Sequence, residues 1–305
     1  MTVTAARIVH RLHGGTLLQK EGTMPRINHN VPAMITGGSL RRVNRHVAKS
    51  LEKLSTGLRI NRAADDAAGL SISEQLRTQV RGLSMGNRNI QDGISLVNIA
   101  EGALIEIQDM LQRMRELSIQ AANDTLTVTE RSYIQVEIDN LKEELDRIAN
   151  GTQYNSMKLL NGSGVWANGL GGVLHIGPND NNDNSDVVNV YIGAITTGGL
   201  SIAGNDLLVT SQTGATTAIT SLDVALSSVN TLRADLGAVT NRLEHALNNQ
   251  ENQEQNMTAA ESVIRDTDFA HETMQFTRNQ ILQQSSTAML SQANMIPQSV
   301  LQLLG

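Results

Sequence analysis

The chain contains no cysteine. No disulfide framework, thiolate metal site or cysteine nucleophile is therefore open to it. Aromatic residues make up only 2% of the 305, and Phe269 and Phe276 are the only phenylalanines. A thick globular core uses more rings than this, so a slender bundle filled by Leu, Ile, Val, Met and Ala fits better. No apolar run reaches membrane-spanning length and no signal-peptide h-region is visible, so no membrane partner is expected. The net charge is −6, which argues against nucleic acid as a partner. No nucleophile sits with a base, and there is no phosphate loop and no carboxylate pair with a chemical rationale. His271-Glu272 opens an HExxH-like window, but the run HETMQ lacks the second histidine, so the paired zinc ligands are missing. The reading is of a chain that is not an enzyme and has no catalytic residue, cofactor or metal site.

What the chain does have is heptad order near both ends. A downstream seam runs Ala225, Val229, Leu232, Leu236, Val239, Leu243, Ala246, Gln250, Gln253, Met257, Ala260, Ile264, with spacing that alternates 4 and 3. An upstream seam runs Val97, Ala100, Leu104, Ile107, Leu111, Met114, Ser118, Ala121 with the same alternation. A stripe of this period covers one narrow helix face and calls for a partner helix. Leu96, Ala103, Met110 and Leu117 add an adjacent seam, which points to more than one partner. The fold class expected is mainly α. It is a long antiparallel helical bundle or coiled-coil rod formed by the N- and C-terminal regions, with a small central β region.

Along the chain, 27–56 reads as a mostly polar helix and 57–71 as an irregular connector, with Asp65 and Asp66 as candidate caps. Residues 71–122 read as helix weakened around Gly82, Gly86 and Gly93. Asn123-Asp124-Thr125 breaks it, and Thr129 can cap a further helix to Ala149. From Gly162 to about Ser221 the character changes, with ten glycines between 162 and 204 and the polar run PNDNNDNSD. Val173–Ile176, Val187–Ile192, Leu200–Ile202 and Leu207–Val209 read as short strands. Helix resumes near Leu222 and continues to about Ile264, and the last 40 residues are poorly amphipathic helix ending in Val300, Leu301, Leu303 and Leu304. The two terminal segments are too sparse in apolar residues for a core of their own, and make sense ordered against each other and against other copies.

The first 23 residues differ again. Lys20-Glu21-Gly22 can be encoded by a purine-rich stretch resembling a bacterial ribosome-binding site, just before Met24. Residues 1–23 are therefore expected to be a mistranslated, disordered leader.

Several runs resemble bacterial flagellin. They are INHN (27–30), LEKLSTGLRINRAADDAAGLSIS (51–73), the GL and DGIS pieces around Gly82 and Asp92, AEGAL (100–104), LQRMRELSIQAAN (111–123) and ILQQSSTAMLSQANMIPQSVLQLL (281–304). The resemblance covers nearly all of Met24–Ile176 and Leu222–Gly305, and places the family's initiator on Met24. It implies a structural subunit that polymerises into the flagellar filament for motility, exported unfolded through the flagellar type III apparatus and located outside the cell. The implied organisation is 24–66 plus 265–305 as an inner terminal coiled-coil domain, 67–178 plus 222–264 as a helical rod domain with a small β region, and 179–221 as a short variable outer segment, expected to be a dispensable surface loop. The implied partners are other copies in a helical homopolymer, the flagellar cap, the hook-junction proteins and an export chaperone.

Val300, Leu301, Leu303 and Leu304 are the candidate polymerisation patch. LQRMRELSIQ overlaps the surface that vertebrate flagellin-sensing Toll-like receptors bind in related proteins, so the resemblance makes Arg113 and Leu117, with Glu137 on the neighbouring helix, candidate receptor contacts. A plainer reading stays open: Leu117 packs on the second seam and Arg113–Glu137 is an exposed ion pair. Two alternatives to a filament subunit also stay open, a hook–filament junction protein and a coiled-coil adaptor.

Overall fold

A computed structural model of the protein describes residues 29–166, 171–179 and 186–304. The expected leader, 1–23, lies outside the described residues, as do the side chains of Asn205, Pro297 and residues 299–304. The chain divides into two compact units. One is made from the described parts of 1–61 and 266–305, the other from 62–265.

The larger unit is a three-helix bundle with two small hairpins. Its helices are α2 (Ala67–Ala121), α3 (Val128–Gly151) and α4 (Gln212–Arg265), and the helix of the smaller unit that precedes them is α1 (Val31–Thr56). Asp66, not Asp65, starts α2: its carboxylate accepts the Gly69 N–H at 2.9 Å, satisfying one of the orphan donors of a first turn. Asp65 instead accepts the Arg62 N–H. The helix then runs unbroken through Gly82, Gly86 and Gly93.

At the far end of α2, the buried Arg131 reaches back from α3. Its Nε donates to the Ala121 carbonyl at 2.9 Å and an Nη to the Asn123 carbonyl at 3.0 Å. The guanidinium thus meets the negative end of the α2 dipole, which is why a charge can be buried there. The cap of α3 is Thr127 rather than Thr129. Thr127 and Glu130 form a reciprocal capping box, with the Thr127 N–H donating to Glu130 Oε2 at 2.7 Å.

All eight upstream seam residues, Val97 to Ala121, are buried. Leu96 and Leu117 of the second seam are buried as well, because α3 supplies a second partner through Ile134, Ile138, Leu145 and Ala149. On α4 the seam is buried at Ala225, Val229, Leu232, Leu236, Leu243 and Gln250. It then fades, and Gln253 and Ala260 are exposed. In the first 20 residues of α2 the only buried positions are Gly69, Ser73, Leu83 and Gly86, so there is little bulk there to mate with a seam. The helices are antiparallel. Arg115–Asp223 (2.6 Å), Arg233–Glu101 (3.5 Å), Asn87–Glu254 (2.9 Å) and Arg265–Glu74 (2.6 Å) step down α2 as they step up α4.

Helix α4 starts ten residues earlier than the pattern predicts, at Gln212 instead of Leu222. Ala215 and Ala218 are buried and extend the seam in small residues. Strands β1 (Gln153–Tyr154) and β2 (Met157–Lys158) form a two-residue hairpin through Asn155 and Ser156, both at positive φ (48° and 65°). Strands β3 (Gly172–His175) and β4 (Val187–Val190) pair antiparallel with Leu174 opposite Val188.

The other two expected strands do not form. Leu200–Ile202 lies in and just after a turn, and Leu207 ends a short 3-10 turn (Gly204–Leu207) that Leu208 and Val209 follow without regular structure. Nor is this stretch a detached surface loop. Ile192, Ile195, Leu200, Ile202, Leu207 and Val209 are buried in the same core as the helices. The Gln135 side chain takes the place of a β ladder, accepting the Val209 N–H at 2.8 Å and donating to the Leu207 carbonyl at 3.2 Å. Asp146 likewise accepts from the Thr197 N–H and hydroxyl at 2.8 and 2.7 Å. Removing the described part of 179–221 would take these apolar residues out of the core, which an assembly assay on a deleted chain would set against the expectation that it is dispensable.

Gly86 shows why one of the supposed helix-weakening glycines is there. A Cβ at this position would lie 2.0 Å from the Ile176 carbonyl oxygen and 2.9 Å from Gln250 Oε1. The segment after β3 therefore rests on bare helix backbone, held by Gln250 Nε2 donating to that same carbonyl at 2.7 Å. Gly102, by contrast, is exposed with nothing within 4 Å. Gly86→Ala should destabilise the larger unit by roughly 1–3 kcal/mol through overpacking. Gly102→Ala should stabilise it by about 0.5–1 kcal/mol through helix propensity. Thermal melts of the two variants would check this, and a shift of both in the same direction would show that close approach does not govern Gly86.

Candidate assembly surface

The smaller unit pairs α1 with α5 (Phe269–Leu304). Asn30 caps α1 by accepting the Ala33 N–H at 3.1 Å, while its amide donates across to the Ala293 carbonyl at 2.8 Å. At the other end Gly57, left-handed at φ 72°, closes α1, and its carbonyl accepts the Thr267 N–H at 2.9 Å. Between these ends Lys53 Nζ lies 3.2 Å from Glu272 Oε2. Start therefore meets end, and the pair is antiparallel.

The packing between the two helices is thin. Leu40, Val43, Val47 and Leu54 of α1 are only half-buried. Among the described residues of this unit, the buried side chains are Ser50, Ile60, Glu272 and Ala293. Many apolar side chains face outward instead. Met34 and Ile35 of α1 are each 68% exposed, and Met274, Ile281 and Met289 of α5 are 65%, 61% and 57% exposed. A shallow groove on α5 is lined by Thr273, Met274, Thr277, Arg278, Ile281 and Leu282. Apolar surface of this extent marks an interaction face. Val300, Leu301, Leu303 and Leu304 continue α5, but their side chains lie outside the described residues.

Glu272 belongs to the helix pairing and not to a metal window. Burial pushes its carboxyl up, but hydrogen bonds from Ser50 and Lys53 outweigh that and hold it below the usual carboxylate range. His271 is exposed, and its backbone N–H donates to Asp268 at 3.1 Å. Among the described residues no group of three or more His, Asp and Glu could hold a metal ion, and no helix there is long and apolar enough to cross a membrane.

In the larger unit, Arg113 and Glu137 come together on the surface. Nε and an Nη of Arg113 both donate to Glu137 Oε1, at 3.1 and 2.9 Å, and the other Nη reaches Glu116 at 3.3 Å. The Glu137 hydrogen bond, then that of Glu116, raises the Arg113 pKa above its ordinary value. Leu117, one turn away, is 2% exposed and packs in the core. It supports this surface from beneath instead of lining it. The thin packing of this pair agrees with the sparse apolar residues of both terminal segments and with the seven glutamines between Gln275 and Gln302, whereas nothing in the local pattern marks Glu272 as buried.

Comparison with known proteins places these features. The model of the bacterial flagellin N-terminal helical region matches residues 27–164, and that of the C-terminal helical region matches 219–304. A flagellin of Halalkalibacterium halodurans is 47% identical over 279 residues, covering 91% of this chain and 99% of that protein. The flagellar filament 30.7 kDa core protein of Treponema maltophilum is 46% identical over 287 residues, again covering 91% and 99%. A solved structure of a putative flagellar hook-associated protein from Vibrio parahaemolyticus is 14% identical, with a TM-score of 0.56, covering 66% of this chain and 99% of that one. That last likeness is one of fold alone.

The depressed Glu272 pKa fixes a pH dependence. A carboxylate with a folded pKa below its unfolded value of about 4.3 stabilises the fold above that value, and this contribution is lost as pH falls through the folded pKa. The α1–α5 pair should therefore loosen below about pH 4. Glu272→Gln should be less stable than the parent near neutrality and lose less further helicity on acidification. Thermal melts at pH 6 and pH 3 would test this, and equal acid sensitivity of parent and variant would count against the assignment.

Proposed function

The chain belongs to the bacterial flagellin family, and from that premise we infer how it serves as a subunit of the flagellar filament. It is a structural protein that self-assembles, not an enzyme. The observation that carries the assembly reading is the contrast between its two units. The larger holds a continuous apolar core, while the smaller leaves its apolar residues outward and buries almost nothing. A two-helix unit of this kind is completed by neighbours, and a helical polymer supplies the same neighbours to every subunit. In this reading the smaller unit is the assembly domain and the larger unit is the rod domain. The subunit travels unfolded through the flagellar export apparatus to an extracellular filament, meeting an export chaperone, hook-junction proteins and the cap on the way. A coiled-coil adaptor would account for the α2–α4 seam but leaves the exposed faces of α1 and α5 without a purpose.

The end of α5 is the proposed polymerisation patch. Burying one Leu or Val side chain contributes roughly 1.5–3 kcal/mol, repeated in every subunit. Leu301→Ser/Leu304→Ser should keep the helicity of the larger unit and lose filament growth or slow it greatly. Sedimentation and negative-stain microscopy of parent and variant would show this, and normal growth of the variant would remove the patch from the assembly surface.

A second proposal rests on the exposed Arg113–Glu137 pair. In this reading an innate flagellin receptor of vertebrates contacts Arg113 and Glu137, with Leu117 holding α2 in place beneath them. Arg113→Ala should then lower signalling by monomer in a receptor-reporter assay with the fold intact. Unchanged signalling would favour the plainer reading of an ordinary surface ion pair.

A further inference from the structure

The charges of the chain are segregated in a way that assembly through apolar faces does not use. Between Val31 and Leu51, α1 carries Arg41, Arg42, Arg45 and Lys49 and no acidic residue. All four are exposed, on the side of α1 away from the half-buried Leu40, Val43 and Val47. Among the described residues Arg41, Arg42 and Arg45 have no ion-pair partner. The mirror of this stretch lies in α4. From Leu243 to Ile264 it carries Glu244, Glu251, Glu254 and Glu261 with no Lys or Arg. Glu244 and Glu251 are exposed, and neither carboxylate has a partner among the described residues.

The spacings match. Arg42 and Lys49 are seven residues apart, as are the exposed Glu244 and Glu251. At 1.5 Å per residue each step is about 10.5 Å, so two such helices side by side set charge against opposite charge at the same repeat. Glu244 and Glu251 share the face of α4 turned away from the seam, which its own bundle leaves uncovered.

We propose that the basic face of α1 docks on the acidic stretch Glu244–Glu261 of α4 in a second copy of this chain. The inference rests on the filament-subunit reading and adds a contact to it, one that fixes which neighbour α1 engages. An anionic lipid surface is the competing occupant for a helix with Met34 and Ile35 exposed beside four positive charges. Charge complementarity at a shared spacing favours the second copy, since a lipid surface asks for no register.

The test uses full-length protein in four forms: the parent, Arg41→Glu/Arg42→Glu/Arg45→Glu, Glu244→Lys/Glu251→Lys, and one chain that carries both sets of reversals. The critical concentration for filament growth is measured by sedimentation at about 50 mM and 300 mM salt, conditions over which screening of exposed charges changes strongly. The parent should polymerise, with a critical concentration that rises with salt. Each reversed variant alone should need about tenfold more protein or fail, with its helicity unchanged. An equimolar mixture of the two variants should polymerise near the parent value, because alternating subunits restore both contacts. Failure of the parent itself would overturn the filament reading. A parent that assembles beside reversed variants that assemble equally well would overturn the docking proposal alone. Rescue only when both sets of reversals sit in one chain, and not on mixing, would place the contact within the subunit and overturn it. Binding to vesicles of phosphatidylglycerol that the Arg reversals abolish, without a change in critical concentration, would give the face to lipid.

Discussion

The antiparallel seam between α2 and α4 is the constraint on which the larger unit depends. It brings residues 97 to 164 positions apart into one line, from Ala121 and Ala218 at one end to Gly86 and Gln250 at the other. An apolar stripe only seven residues in period cannot be covered by its own helix, so each helix makes the other necessary. The margins of the seam are marked by Arg115–Asp223 and Arg233–Glu101, partly exposed pairs that add little energy individually. Their value is in register: a slip of one turn would part them together.

Everything else in that unit is fitted to the seam. Helix α3 covers the second stripe of α2, and Arg131 ties the turn between them to the carbonyl end of α2. The chain after α3 has too little regular structure to satisfy its own backbone, so Gln135 and Asp146 on α3 satisfy it instead. At the thin end of the seam, Gly86 and Gln250 hold the segment after β3 against helix backbone. Gln250 is the one polar residue buried in the α4 stripe, and its hydrogen bond to the Ile176 carbonyl explains why an apolar residue does not stand there.

The smaller unit is built on the opposite principle. Its helix ends are well specified, by Asn30, Gly57 and the Lys53–Glu272 pair, yet its middle is nearly empty of buried side chains. Specified ends with an unfilled face suit a part that must be held in register but finished by other copies. In a flagellin this is economical of sequence: the same outward residues serve every subunit of the polymer.

Much of this was legible in the residues themselves. The heptad spacing of Val97–Ala121 and Ala225–Leu243 determined that two distant helices must pair, and Asn123-Asp124-Thr125 determined where α2 breaks, while α2 begins at Ala67 inside the stretch that reads as a connector. These are local properties, set by helix period and by side chains that bond their own backbone. What only the tertiary structure decided depends on who arrives from far away in sequence. Gly86 reads as a weak point until the Ile176 carbonyl is seen resting on it. Leu200 and Leu207 read as strand or loop until Gln135 and the helix bundle are seen to enclose them. Ala215 and Ala218 are too small to announce a seam, yet lie fully buried within it. Leu117 and Arg113 lie one turn apart in the same motif, but one packs inside and the other outside, because α3 arrives on one flank of α2 and solvent on the other. Periodicity fixes which residues share a face of a helix; the partner that covers that face, and how far along it the cover reaches, is fixed only when the chain has folded.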